Sequence, residues 1–123
     1  MTPLEIVHAF NDAITAADAE GLGRLMTDDH RFTDPAGTEI AGRAAVLAAW
    51  AGFFAAFPGY RNLFDDIRTA GDTICLRGVS ECSDPRLDGP ALWRATLDGG
   101  RVAAWEVFDD TPETRARLGF MSG

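Results

Sequence analysis

The sequence predicts an α+β domain in which helices come first and an antiparallel sheet follows. Two observations carry this. Apolar residues recur at helical spacing through the first half of the chain, and from residue 60 onward the pattern changes to period two. Glycine-bearing hairpin turns then separate neighbouring strands. That order places helices on one face of an antiparallel sheet.

Each element has its own signal. Thr2-Pro3-Leu4-Glu5 opens a helix: Thr2 caps, Pro3 takes the first helical position and Glu5 returns a bond to the Thr2 amide. Ile6, Phe10 and Ile14 follow every four residues, with Val7 and Ala13 beside them. Asp18 caps a second, short helix holding Leu22, Leu25 and Met26. Residues 32–37 form a short strand running into the turn Asp34-Pro35-Ala36-Gly37. A third helix starts at Arg43, carries Val46, Leu47, Trp50, Phe53, Phe54 and Phe57, and stops at Pro58-Gly59. Residues 60–68, 72–82, 91–97 and 101–109 read as four strands. Gly71-Asp72 and Asp98-Gly99-Gly100 are the hairpin turns, and residues 83–90 are a longer polar connection. Thr111-Pro112-Glu113 caps a last short helix ending at Gly119.

Composition narrows the function. One domain of 123 residues is long enough to bury a core, and 46% apolar residues argue against disorder. A net charge of −8 argues against nucleic acid and against anionic membranes, which both require a basic face. Cys75 and Cys82, if on one strand, lie roughly 23 Å apart at about 3.3 Å per residue and cannot pair. A reduced, cytoplasmic protein is therefore expected. The N-terminus has no basic n-region, so no signal peptide is expected, and the apolar run at 44–51 is too short to span a bilayer. No paired His, no Cys-x-x-Cys and no Gly-rich phosphate loop occurs, so neither metal nor cofactor is expected.

Residues 10–37, FNDAITAADAEGLGRLMTDDHRFTDPAG, carry a resemblance. Ala17-Asp18, Leu25 with Asp28-Asp29, and Asp34-Pro35-x-Gly37 closely resemble the N-terminal part of ketosteroid isomerases and of the wider SnoaL-like, nuclear-transport-factor-two-like superfamily. Gly100-Arg101-Val102, then Trp105-Glu106-Val107-Phe108-Asp109-Asp110, with Leu118-Gly119, resemble the last strand and tail of SnoaL-like proteins. The resemblance implies a cone-shaped α+β barrel: three N-terminal helices on a curved, mostly antiparallel sheet, enclosing one apolar pocket. It implies a cofactor-free isomerase or polyketide-cyclase-type enzyme acting on a small apolar or aromatic carbonyl ligand. The same superfamily also hosts binding and assembly modules without catalysis, which is the alternative.

The resemblance also implies roles. The Asp of the Asp-Pro-x-Gly turn is the general base of the isomerases, and here it is Asp34. The alternative is that Asp34 only starts the turn. The Tyr and Asp of the isomerase oxyanion hole fall on Phe10 and Trp93, and a supporting Tyr on the third helix falls on Trp50. If Trp93 faces the pocket, strand alternation sends Ala95 and Leu97 inward. Trp105, Val107 and Asp109 follow on the next strand, and Cys75, Arg77, Val79 and Glu81 on the one before. The expected site therefore has Asp34 and Asp109 as catalytic carboxylates, lined by Phe10, Trp50, Arg77, Trp93, Trp105 and Val107. The tryptophan N–H groups would assist a developing enolate. Superfamily epoxide hydrolases place their last-strand Asp where this chain has Val107, which counts against that activity. His8 and His30 are expected at the surface or a strand edge. The outward set includes Leu92, Val102 and Phe108, so a homodimer through the convex sheet face is expected.

Overall fold

A computed structural model describes residues 1–120 of the chain. The elements are α1 (Pro3–Thr15), α2 (Ala19–Arg24), β1 (Met26–Thr33), β2 (Glu39–Ala41), α3 (Arg43–Ala56), β3 (Arg61–Ala70), β4 (Thr73–Glu81), β5 (Gly89–Asp98), β6 (Arg101–Asp109) and α4 (Pro112–Arg117). The capping box at Thr2 and Glu5 is closed by bonds of 3.1 and 2.8 Å. Asp18 accepts the N–H of Gly21 at 2.9 Å and starts α2.

All six strands form one sheet in the order β2-β1-β6-β5-β4-β3. Every pairing is antiparallel except β1 with β6. The sheet is open rather than a closed barrel, with β2 and β3 as its edges. One face buries Ile6, Val7, Phe10 and Ile14 of α1 and Val46 and Trp50 of α3 against Ile74, Leu76, Trp93, Ala95, Val102 and Trp105. Part of the other face is covered by the segment that follows α4. Leu118 and Phe120, which follow α4, pack on Cys75 and Leu92 beside Phe108. Arg94 and Arg117 each place a guanidinium 5.5 Å from the Phe108 ring centre.

The structure corrects several expectations. Met26 leaves the short helix and begins β1, because β1 runs parallel to β6 with Met26 opposite Val102. The strand signal there was hidden by Thr27, Asp28, Asp29 and His30, a polar run with no alternation. The short strand β2 was not expected at all. His30 is fully buried, not at the surface.

Alternation also differs from the expected one at two places. On β4, Leu76 stands opposite Trp93 and Arg77 opposite Leu92. Directly opposed residues share a face. The inner set is therefore Ile74, Leu76, Gly78 and Ser80, and Cys75, Arg77, Val79 and Glu81 face outward. On β6 an irregularity at Ala103 shifts the register between Thr96 and Leu97, so Val102 opposes Leu97 and turns inward. Of the three residues expected to form a dimer face, Val102 is thus in the core. Leu92 is covered by the C-terminal segment. No helix among the described residues is long and apolar enough to cross a membrane.

Candidate functional site

A cavity of about 380 Å³ opens between α3, the ends of β1 and β6, and the connection from β4 to β5. Sites of about 300–1,000 Å³ typically take small organic molecules, and this cavity falls within that range. Its apolar wall is Phe32, Val46, Trp50, Phe53, Ala91 and Val107. The period of α3 explains part of this: Val46, Trp50 and Phe53 fall three and four residues apart on one helix face.

Asp34 and Asp109 both border this cavity. Asp34 is half-buried at the end of β1, and Asp109 is exposed at the end of β6. Asp34 Oδ1 accepts the backbone N–H groups of Ala36 and Thr38 at 3.0 and 2.9 Å, so that oxygen closes the Asp-Pro-Ala-Gly turn. Among the described residues its Oδ2 has no such bond. Asp88 also borders the cavity, with Oδ1 accepting the Cys82 N–H at 3.2 Å. Arg86 is the cation at the rim, but Asp84 grips its guanidinium at 2.6 Å. That bond holds the Asp84 carboxyl well below the usual carboxylate range, at about 2.

Of the expected lining residues, Trp50 and Val107 are on the wall. Phe10, Trp93 and Trp105 are not. They are fully buried behind it: Trp105 lies 4.8 Å from Phe10 and Trp93 5.0 Å from Phe64, centre to centre. These large rings fill the core between α1 and the sheet. Arg77 is on the opposite face of the sheet. There its guanidinium lies 3.7 Å from Asp110, which is also 2.7 Å from Arg115. The Nε1 atoms of all three tryptophans are enclosed and unpartnered among the described residues, so none presents an N–H to the cavity. Among the described residues no three His, Cys, Asp or Glu side chains gather at metal-binding distance.

Sequence reasoning missed the polar side of the cavity. Tyr60 and Ser80 line it, their oxygens 3.3 Å apart. Burial pushes the Tyr60 phenol above its usual pKa. Behind them Ser80 bonds Asn62, and Asn62 bonds Asn11 of α1. Tyr60 is the chain's single tyrosine, and its place straight after the Pro58-Gly59 stop was the available signal.

The SnoaL-like domain family matches residues 7–111. The chain belongs to that family. Its fold resembles a protein from Shewanella denitrificans described as a SnoaL-like polyketide cyclase, with a TM-score of 0.78 and 15% identity over 94% of this chain and 95% of that one. It resembles a protein from Sinorhizobium meliloti described as a polyketide cyclase, at 0.75 and 22% identity over 87% and 99%. TerC, co-crystallised with polyporic acid, superposes at 0.75 with 19% identity over 95% and 98%. At such identities the likeness establishes the fold alone. No curated protein matches the sequence significantly.

Proposed function

We propose that this SnoaL-like chain is a small-molecule enzyme, a cofactor-free isomerase or polyketide-cyclase-type catalyst that moves a proton on an apolar or aromatic carbonyl compound. The observation that carries this is that Asp34 and Asp109 border one mostly apolar cavity of small-molecule size. Asp34 is the base. Its Oδ1 is anchored by two turn amides, which orients Oδ2 for a carbon acid bound against Trp50 and Phe32. Oδ2 takes the proton from the carbon beside the carbonyl, and the C–H pair moves into an enolate. Returning that proton to another carbon completes an isomerisation. If the enolate carbon instead attacks a second carbonyl, the proton goes to the new alkoxide and a ring closes. Asp109 stands at the mouth as the alternative proton carrier. The fold relatives described as polyketide cyclases and the polyporic acid partner of TerC are consistent with a small organic ligand.

One observation favours the second reading, a binding module without catalysis. The tryptophan N–H groups are enclosed and Phe10 has no donor, so no preset pair of donors meets an oxyanion. Hydrogen–deuterium exchange at the α-carbon of a panel of enolisable aryl ketones decides between them. Wild-type protein is expected to exchange faster than buffer, and Asp34→Asn to lose about 100-fold or more of that rate. No exchange above buffer, with ligands still bound, would leave the binding module.

The proposal includes a homodimer through the convex sheet face. The apolar residues left exposed there are Leu63 and Val79, which pair across β3 and β4.

A further inference from the structure

We propose that the ligand of this cavity presents a hydroxyl group, phenolic or enolic, and that Tyr60 accepts its proton in a hydrogen bond. The inference rests on the cavity being the ligand site, as argued above, and adds the polarity of its recognition.

The polarity is set at the far end of a buried chain. The backbone carbonyl of Asn62 can only accept, and Asn11 Nδ2 donates to it at 3.0 Å. That contact fixes which way the Asn11 amide points. Asn11 Oδ1 must therefore be the atom facing Asn62, and Asn62 Nδ2 donates to it at 3.3 Å. The Asn62 amide is fixed in turn, so its Oδ1 is the atom that faces Ser80. An amide oxygen cannot donate, so Ser80 spends its one proton there, at 2.8 Å. Ser80 Oγ is left only as an acceptor toward Tyr60, 3.3 Å away. Among the described residues Ser80 Oγ is the acceptor within reach of the Tyr60 proton, and with that bond made the Tyr60 oxygen offers the cavity a lone pair.

Water cannot easily reset this order. Asn11, Asn62 and Ser80 are all buried. Reversing the Asn11–Asn62 or the Asn62–Ser80 link would set two acceptors against each other in a buried place. The other polar groups around the cavity agree in sign. Asp34, Asp88 and Asp109 are acceptors when ionised, and Asp84 engages the Nε and Nη2 donors of Arg86, whose side chain is turned largely to solvent. A ligand that brings its own donor fits this lining. A bare ketone fits it worse than its enol.

Calorimetric titration with three probes tests this: 2-naphthol, 2-methoxynaphthalene and 2-acetylnaphthalene. Wild type is expected to bind 2-naphthol about tenfold more tightly than its methyl ether, the worth of one hydrogen bond. Tyr60→Phe should erase that preference while the ether keeps its affinity. Ser80→Ala, which removes the acceptor for the Tyr60 proton, should free that proton for the ligand. The mutant should then gain about tenfold for 2-acetylnaphthalene and lose most of its preference for naphthol. A structural role for the chain would not exchange one preference for the other. Equal binding of naphthol and its ether by wild type, or an unchanged preference in Ser80→Ala, overturns the assignment. If none of the three probes binds, the cavity is not the ligand site and this inference falls with it. A naphthol preference without α-carbon exchange would remove the enzyme reading and leave this one standing.

Discussion

Asp34 Oδ1 accepts the backbone N–H of Thr38 at 2.9 Å, so the proposed base is also the residue that closes its own turn. The two roles separate by substitution. Asn keeps an acceptor oxygen for Ala36 and Thr38, whereas Ala keeps none. Asp34→Asn is expected to fold as stably as wild type while losing about 100-fold or more in α-carbon exchange. Asp34→Ala should lose the same activity and also about 1–2 kcal/mol of stability in urea unfolding, from its two orphaned amides. Asp109→Asn, at an exposed position, should cost less activity than either.

Ligand binding should be visible in fluorescence through one tryptophan. Trp50 lines the cavity, while Trp93 and Trp105 are fully buried behind it. The expected change on adding 2-naphthol is therefore confined to Trp50. Trp50→Phe should abolish the change and keep most of the emission. A response that survives that substitution would place the ligand against the inner tryptophans instead.

Two residues offer an apolar contact for a dimer. Leu63 and Val79 are 43% and 37% exposed, the largest apolar side chains left open on the sheet. Sedimentation at micromolar concentration is expected to give twice the chain mass, and Val79→Lys to give a monomer. A wild-type monomer would remove the dimer.

Helix starts were legible because caps are local. Thr2, Asp18 and Thr111 each announce a helix with a side chain that bonds the next turn. The turn at Asp34 was legible because its motif is contiguous. Arg77 was not. Its face depends on how β4 pairs with β5 across the connection from Cys82 to Asp88, and a shift of one residue there reverses every side chain. Val102 was hidden by the irregularity at Ala103, where three alanine and valine residues in a row leave no polar alternation to read. The Tyr60-Ser80-Asn62-Asn11 chain joins residues up to 51 positions apart, and no local pattern marks such a contact.

Gly78 is required by the neighbouring strand. It faces Phe64, where β3 carries an extra residue before Asp66. A Cβ at Gly78 would run into the backbone carbonyl of Leu63. Backbone cannot swing aside as a long side chain can, so β3 would have to part from β4. Gly78→Ala is expected to cost about 2 kcal/mol or more in urea unfolding. The same change at Gly52, where no atom stands within contact distance of the added carbon, should be neutral or stabilising in its helix. Equal effects at the two glycines would contradict the close approach of β3.

His30 gives the fold a pH limit. Its ring is fully buried, and Nδ1 donates to the Val102 carbonyl at 2.7 Å, since that carbonyl can only accept. The neutral ring therefore carries its proton on Nδ1, and Nε2 is left enclosed without a partner among the described residues. Burial pushes the His30 pKa below its ordinary 6.5, and neither the Val102 bond nor the nearby Asp29 charge offsets it. The unfolded chain thus takes up this proton first as pH falls. The stability linked to His30 is complete above about 6.5 and is lost progressively below it, down to the lowered value in the folded protein. Urea midpoints measured from pH 7.5 to pH 5 should fall for wild type. His30→Asn can keep a donor for Val102 and has no titrating ring, so it should be less stable at pH 7.5, having lost ring packing against Phe10, yet change less across the same range. Parallel pH curves for the two proteins would show that His30 is not the group whose protonation opposes folding.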